Sequence, residues 1–230
     1  MKHRILTLTV VAAALLVAAP AFAHQPRISI GQTDVAVDQP EVSKAYYGIL
    51  DGTPVTFTIH AAAPFDLYAN ILVPDVPGVT TTLSALVSQD GKDIVTLEAP
   101  RMLWQTFYEE FAGDTYLKGP EYRLKAAPAG TYTIVVSSPD LKGPYVLAIG
   151  ETEAFPPGEM LKALWNIPRM KMALFHKSPF AIFEGIIGHY LLITLGGIML
   201  VAAIILAIVV KARRKKCHSE GKRSGRRIFK

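Results

Sequence analysis

The sequence predicts an all-β domain, an antiparallel β-sandwich of eight or nine strands, followed by a juxtamembrane amphipathic segment and one transmembrane α-helix. Three observations carry this reading. Short runs between Arg27 and Ile149 alternate apolar and polar residues and are punctuated by Gly/Pro turns. Tyr190–Val210 is a stretch of twenty-one residues without a charge. As a helix it spans about 30 Å, the thickness of a bilayer's hydrocarbon core. The basic cluster Lys211–Lys216 follows at once.

Taken in order, Met1–Ala23 reads as a signal peptide. Lys2 and Arg4 precede an apolar run from Ile5 to Ala19, and Ala21-Phe22-Ala23 is the small-x-small pattern of a cleavage site. The mature chain is then expected to begin at His24. Residues 24–155 form the expected extracytoplasmic sandwich, 156–181 the juxtamembrane segment and 182–210 the transmembrane helix, with 211–230 as a basic cytoplasmic tail.

Charge supports this division. The whole chain carries a net +5, yet its tail from Lys211 onward holds ten Lys/Arg and one Glu. The segment His24–Phe155 holds eight Lys/Arg against sixteen Asp/Glu. A positive tail beside a span places that tail in the cytoplasm, and an acidic ectodomain excludes a nucleic-acid surface. The lipid bilayer is the first expected partner, in a cell membrane. Cys217 is the only cysteine. The sandwich must therefore be held by an apolar core without disulfides, and is expected to fold under reducing conditions.

Within the domain, Arg27–Ile30 and Thr33–Val37 are short alternating runs. Thr53–His60 alternates most clearly, with Val55, Phe57 and Ile59 on one face and Thr56, Thr58 and His60 on the other. Phe65–Val73 places Leu67, Ala69, Ile71 and Val73 together, and Pro74–Gly78 ends that strand. Thr80–Ser88 and Lys92–Leu97 flank Asp90-Gly91, a hairpin-turn pair. Glu121–Ala126, Tyr132–Ser137 and Tyr145–Ile149 complete the set.

Ala129–Ser138 followed by Gly143–Ile149 resembles the closing hairpin of bacterial pre-peptidase C-terminal domains, and Thr53–Val73 is similar to their central strands. The resemblance implies a jelly-roll-like sandwich on an exported protein and carries no catalytic residues with it. The order of signal, sandwich, juxtamembrane helix, span and short basic tail also resembles, in architecture only, the cargo receptors with GOLD domains.

After the sandwich, Glu159–Asn166 sets Leu161, Leu164 and Trp165 on one helical face, and Pro168 is expected to interrupt it before Arg169–Lys177. A basic, Trp-bearing amphipathic segment beside a span is expected to lie in the membrane interface; packing on the sandwich is the alternative.

Two groups of residues are candidates for function. Trp104–Tyr122 is a long stretch of aromatics and carboxylates without strict alternation. Trp104, Tyr108, Glu109, Glu110, Asp114 and Tyr116 are its candidate binding residues, for a protein or glycan outside the cytoplasm. The structural alternative is a crossover whose aromatics complete the core. The second group is His24, whose α-amine and imidazole would chelate copper once cleavage after Ala23 exposes them, with His60 as second imidazole. The chain contains no metalloprotease, nucleophile-elbow or phosphate-loop motif. The expected function is a membrane-anchored binding module without catalysis of its own. An exported protein that binds copper or another metal through the mature N-terminal His24, and an accessory subunit of a membrane complex, are the other classes.

Overall fold

Eleven strands, against the eight or nine of the sequence reading, build two facing sheets in the computed structural model, which describes residues 24–225. They are β1 (Gln25–Ile28), β2 (Asp34–Val37), β3 (Lys44–Asp51), β4 (Val55–Ala61), β5 (Phe65–Pro74), β6 (Ser84–Gln89), β7 (Lys92–Leu97), β8 (Gln105–Glu109), β9 (Asp114–Ala127), β10 (Gly130–Ser137) and β11 (Lys142–Ile149). One sheet has the order β1-β3-β11-β5-β9-β8 and the other β2-β4-β10-β6-β7. Within them β3-β11-β5-β9 faces β4-β10-β6-β7, which is the jelly-roll arrangement. The expected signal peptide, Met1–Ala23, lies outside the described residues.

Two edges depart from a purely antiparallel sandwich. Strand β1 joins β3 in parallel and β2 joins β4 in parallel. The links from β1 to β2 and from β3 to β4 are both short and carry the chain to the opposite sheet; among the described residues the consecutive strands that do pair are β6 with β7 and β8 with β9.

The core follows the alternation. Val55, Phe57 and Ile59 of β4 meet Leu67, Ala69, Ile71 and Val73 of β5 between the sheets, and all are buried. Asp90 and Gly91 both have positive φ, 48° and 76°, as the two-residue turn between β6 and β7 requires. Strands β3 and β8 are the two that alternation does not reveal. In β3, Tyr46 and Leu50 enter the core while Ala45 and Tyr47 are covered on the other face. A strand buried on both sides loses its period-two signature. Gly48 in its middle leaves room for the Tyr145 ring, which a Cβ there would approach to 2.2 Å.

What covers the outer face of the six-stranded sheet is helix α1 (Pro157–Phe175). Ala163, Ile167, Met170 and Leu174 pack on Ala45, Tyr47, Tyr68, Leu72, Val146 and Ala148. The segment Pro157–Phe175, expected to lie in the membrane interface, is therefore a third layer of the domain and not a free helix. Pro168 does not interrupt it. The helix loses one backbone bond there, but it is pinned on either side: Glu159 accepts from Arg27 at 2.7 Å, and Lys171 donates to Asp114 at 2.7 Å.

The chain divides into two compact units, one ending at Gly188 and holding both sheets and α1, the other beginning at His189. Helix α2 (Ile186–Gly225) starts at the end of the first unit. Its part Ile186–Arg214 is long and apolar enough to cross a membrane.

Candidate functional site

The Trp104–Tyr122 stretch is a hairpin. Strand β8 pairs with the first third of β9, from Gln105↔Lys118 to Glu109↔Asp114. This hairpin divides the candidate residues into an inner and an outer set.

The inner set serves packing. Trp104 is 7 % exposed, and its Nε1 donates to the Ala99 carbonyl at 3.0 Å. Tyr116 is buried between Tyr47 and Phe175, and its hydroxyl donates to Met170 Sδ. Burial pushes that phenol well above its usual range. Asp114 has no exposed side-chain area, and neither has Lys171, which donates to it. Lys177 donates to the other Asp114 oxygen at 2.9 Å and to Glu184 at 2.9 Å. Burial works to lower the Lys177 ammonium, but these two bonds outweigh it and its pKa is raised. The bond from Lys177 in turn lowers the Glu184 carboxyl.

Glu109 closes the hairpin tip. Its carboxylate accepts from the amides of Phe111 and Ala112 at 2.9 and 2.8 Å. Burial raises this carboxyl, and the two amide bonds oppose the rise. Glu110 is exposed, but its main-chain carbonyl accepts from Ile186, as that of Phe111 does from Ile187. The first turn of α2 is thus bonded to the hairpin tip through the backbone. The approach depends on glycine: a Cβ on Gly185 would stand 2.4 Å from the Phe111 carbonyl oxygen. Gly185→Ala is expected to cost about 1–3 kcal/mol through overpacking against backbone that has nowhere to move. Faster amide exchange at Ile186 and Ile187, beside a lowered melting temperature, is the measurement that checks it.

The outer set is small. Tyr108 is 54 % exposed, and in the chain just before it Phe107, Leu103 and Met102 are exposed as well, with Met102 87 % exposed. Met102, Leu103 and Phe107 were not among the sequence candidates. The signal for them was present: from Met102 to Tyr108 the chain has no charge.

Strand β8 is also the edge of its sheet. Edge strands normally carry charges or proline that discourage further pairing. Strand β1 has Pro26 and Arg27, β2 has Asp34, and β7 has Lys92 and Asp93. Strand β8 has only Glu109, and that carboxylate is committed to the tip. Among the described residues, this is the edge left open.

The structure does not bring the two histidines together. His24 precedes β1 of the six-stranded sheet, where its Nδ1 hydrogen-bonds the Ser43 hydroxyl, and burial lowers its pKa. His60 lies exposed on β4 of the other sheet and bonds Thr131. Among the described residues no cluster of three or more His, Cys, Asp or Glu has metal-binding geometry.

No protein-family model matches the sequence, and no curated protein does. Among solved structures the chain is similar to the periplasmic inhibitor of g-type lysozyme from Aeromonas hydrophila. That match has 16 % identity and a TM-score of 0.35, over 54 % of this chain and 97 % of that one. It is similar also to the pre-peptidase C-terminal domain of a Bacillus anthracis collagenase, at 10 % identity and a TM-score of 0.30, covering 56 % and 95 %. A third match is the CBM36-1 domain of a multidomain xylanase from the hindgut metagenome of Trinervitermes trinervoides, at 17 % and 0.23, covering 48 % and 78 %. The second belongs to the kind of domain that the closing hairpin resembles. Likeness at this level carries no argument about activity or partner, so function rests on the geometry of the chain itself.

Proposed function

We propose that this protein is a membrane-anchored binding module that acts outside the cytoplasm through the outer edge of β8 and without catalysis of its own. One observation carries the proposal: β8 is an edge strand free of blunting charge that itself bears the exposed Phe107 and Tyr108 and is preceded by the exposed Met102 and Leu103. An open edge offers backbone donors and acceptors in a row, and alternate apolar side chains give specificity; both suit an extended segment of a partner protein. A glycan would be met by aromatics framed with polar groups, whereas Met102 and Leu103 present aliphatic surface. The orientation, sandwich outside and tail inside, is supported by the tail's charge.

Photo-crosslinking in intact cells tests this. A photoreactive amino acid at Tyr108 is expected to give one discrete adduct, and the same group at Thr58 on the opposite sheet none. Phe107→Lys should abolish the adduct and shift stability by no more than about 0.5 kcal/mol, because the position is at the surface. Equal adducts from both sheets, or none from either, overturn the assignment.

A further inference from the structure

Helix α1 is apolar on two sides. The inner side packs on the sheet, as described. The outer side carries Leu161, Trp165 and Met172, which are 71, 64 and 46 % exposed. They are spaced four and seven residues apart, so they form one stripe along the helix. Lys162 and Arg169 lie exposed in the same stripe, and the Arg169 guanidinium stacks on the Trp165 ring at 4.1 Å. No carboxylate shares this face: Glu159, the helix's single acid, is buried and bonded to Arg27 and Lys162. Past the helix Phe180 is 75 % exposed.

An exposed apolar stripe of this size on a soluble surface needs an occupant. We propose that the occupant is the surface of the bilayer itself, so that α1 is sandwiched between the six-stranded sheet and the lipid headgroups. The proposal rests on the reading of α2 as a membrane span. Only residues 176–185 separate the two helices, a distance of at most about 35 Å even when fully extended. The stripe therefore cannot be far from the membrane that α2 crosses. Its chemistry fits that surface: a tryptophan with an amphipathic ring, aliphatic side chains beside it, and cations that place their stems in lipid and their heads among phosphates. The acidic remainder of the ectodomain would be repelled by anionic lipid, which leaves this cation-bearing face as the one that can approach.

The test uses the full chain reconstituted in vesicles whose lipids are brominated high in the acyl chain, with and without anionic lipid. Tryptophan emission is recorded for the native protein and for Trp165→Phe. Their difference isolates Trp165 from the buried Trp104. The Trp165 component should lose roughly twofold or more of its intensity to brominated lipid, be shielded from aqueous iodide, and lose more when anionic lipid is present. Arg169→Glu should weaken the lipid quenching while leaving the fold unchanged by circular dichroism. Quenching by iodide and not by lipid overturns the proposal. Shielding from both also overturns it, since a protein, whether a second copy or a partner, would then cover the stripe. Release of the chain by alkaline carbonate overturns the span reading and the docking with it, while the β8 crosslink remains a separate result.

Discussion

Asp114→Ala is expected to destabilise the domain by about 3–5 kcal/mol, because it leaves the Lys171 ammonium buried without a hydrogen-bonded anion. Both side chains are fully enclosed, and the next carboxylate, Glu184, stands 4.0 Å from Lys171. The pair joins the start of β9 to the C-terminal third of α1 across a gap otherwise filled by Tyr116, Phe175 and Met170. Removing both charges tells the pair's worth from its cost: Asp114→Leu with Lys171→Met should recover most of the loss, since apolar groups of similar volume avoid the desolvation that the ions suffer. Lys177→Ala should matter far less, because that side chain is 36 % exposed and water screens the interaction. Urea unfolding of the chain in detergent, followed at Trp104, is the measurement. A loss below about 1 kcal/mol for Asp114→Ala would show that water reaches the pair.

Phe57→Ala should cost about as much, 3–5 kcal/mol, for a different reason. Its ring is wholly buried and lies edge-on to Tyr46 at 5.2 Å and to Tyr145 at 6.3 Å. Those two tyrosines sit on β3 and β11 of the opposite sheet, so the cavity would open between the layers. Thr58→Ala, one residue along on the outward face, is expected to change stability by no more than about 0.5 kcal/mol. Equal effects at the two positions would show that the alternation of β4 does not set its facing.

Strand β4 was legible because one of its faces meets the core and the other meets water. The inward face of β5 was legible for the same reason, but Tyr68 and Leu72 on its back were not assigned, because nothing local says that a helix ninety residues later will cover them. The same missing knowledge hid β3. It also led α1 to be expected at the membrane interface: an amphipathic helix announces an apolar face but not what that face will meet. Here a second apolar stripe remains after the first is used. In Trp104–Tyr122 the residue types were conspicuous, yet which would turn inward depended on Lys171, fifty-seven residues away from Asp114. A charge partner at that separation leaves no pattern in the sequence around either residue.

The strand order has a consequence for how the chain reaches this structure. In one sheet β11 lies between β3 and β5, and in the other β10 lies between β4 and β6. The last two strands to be made therefore occupy the middle of both sheets. Until Gly130–Ile149 has emerged, β3 and β5 have no common neighbour, nor have β4 and β6, and each sheet exists only as two separate halves. Closure requires contacts between residues as far apart as Tyr47 and Val146, which are costly in loop entropy and slow to form. A chain cut short before β10 would retain nine strands' worth of apolar residues and four unpaired inner edges, the condition that leads β-proteins to aggregate.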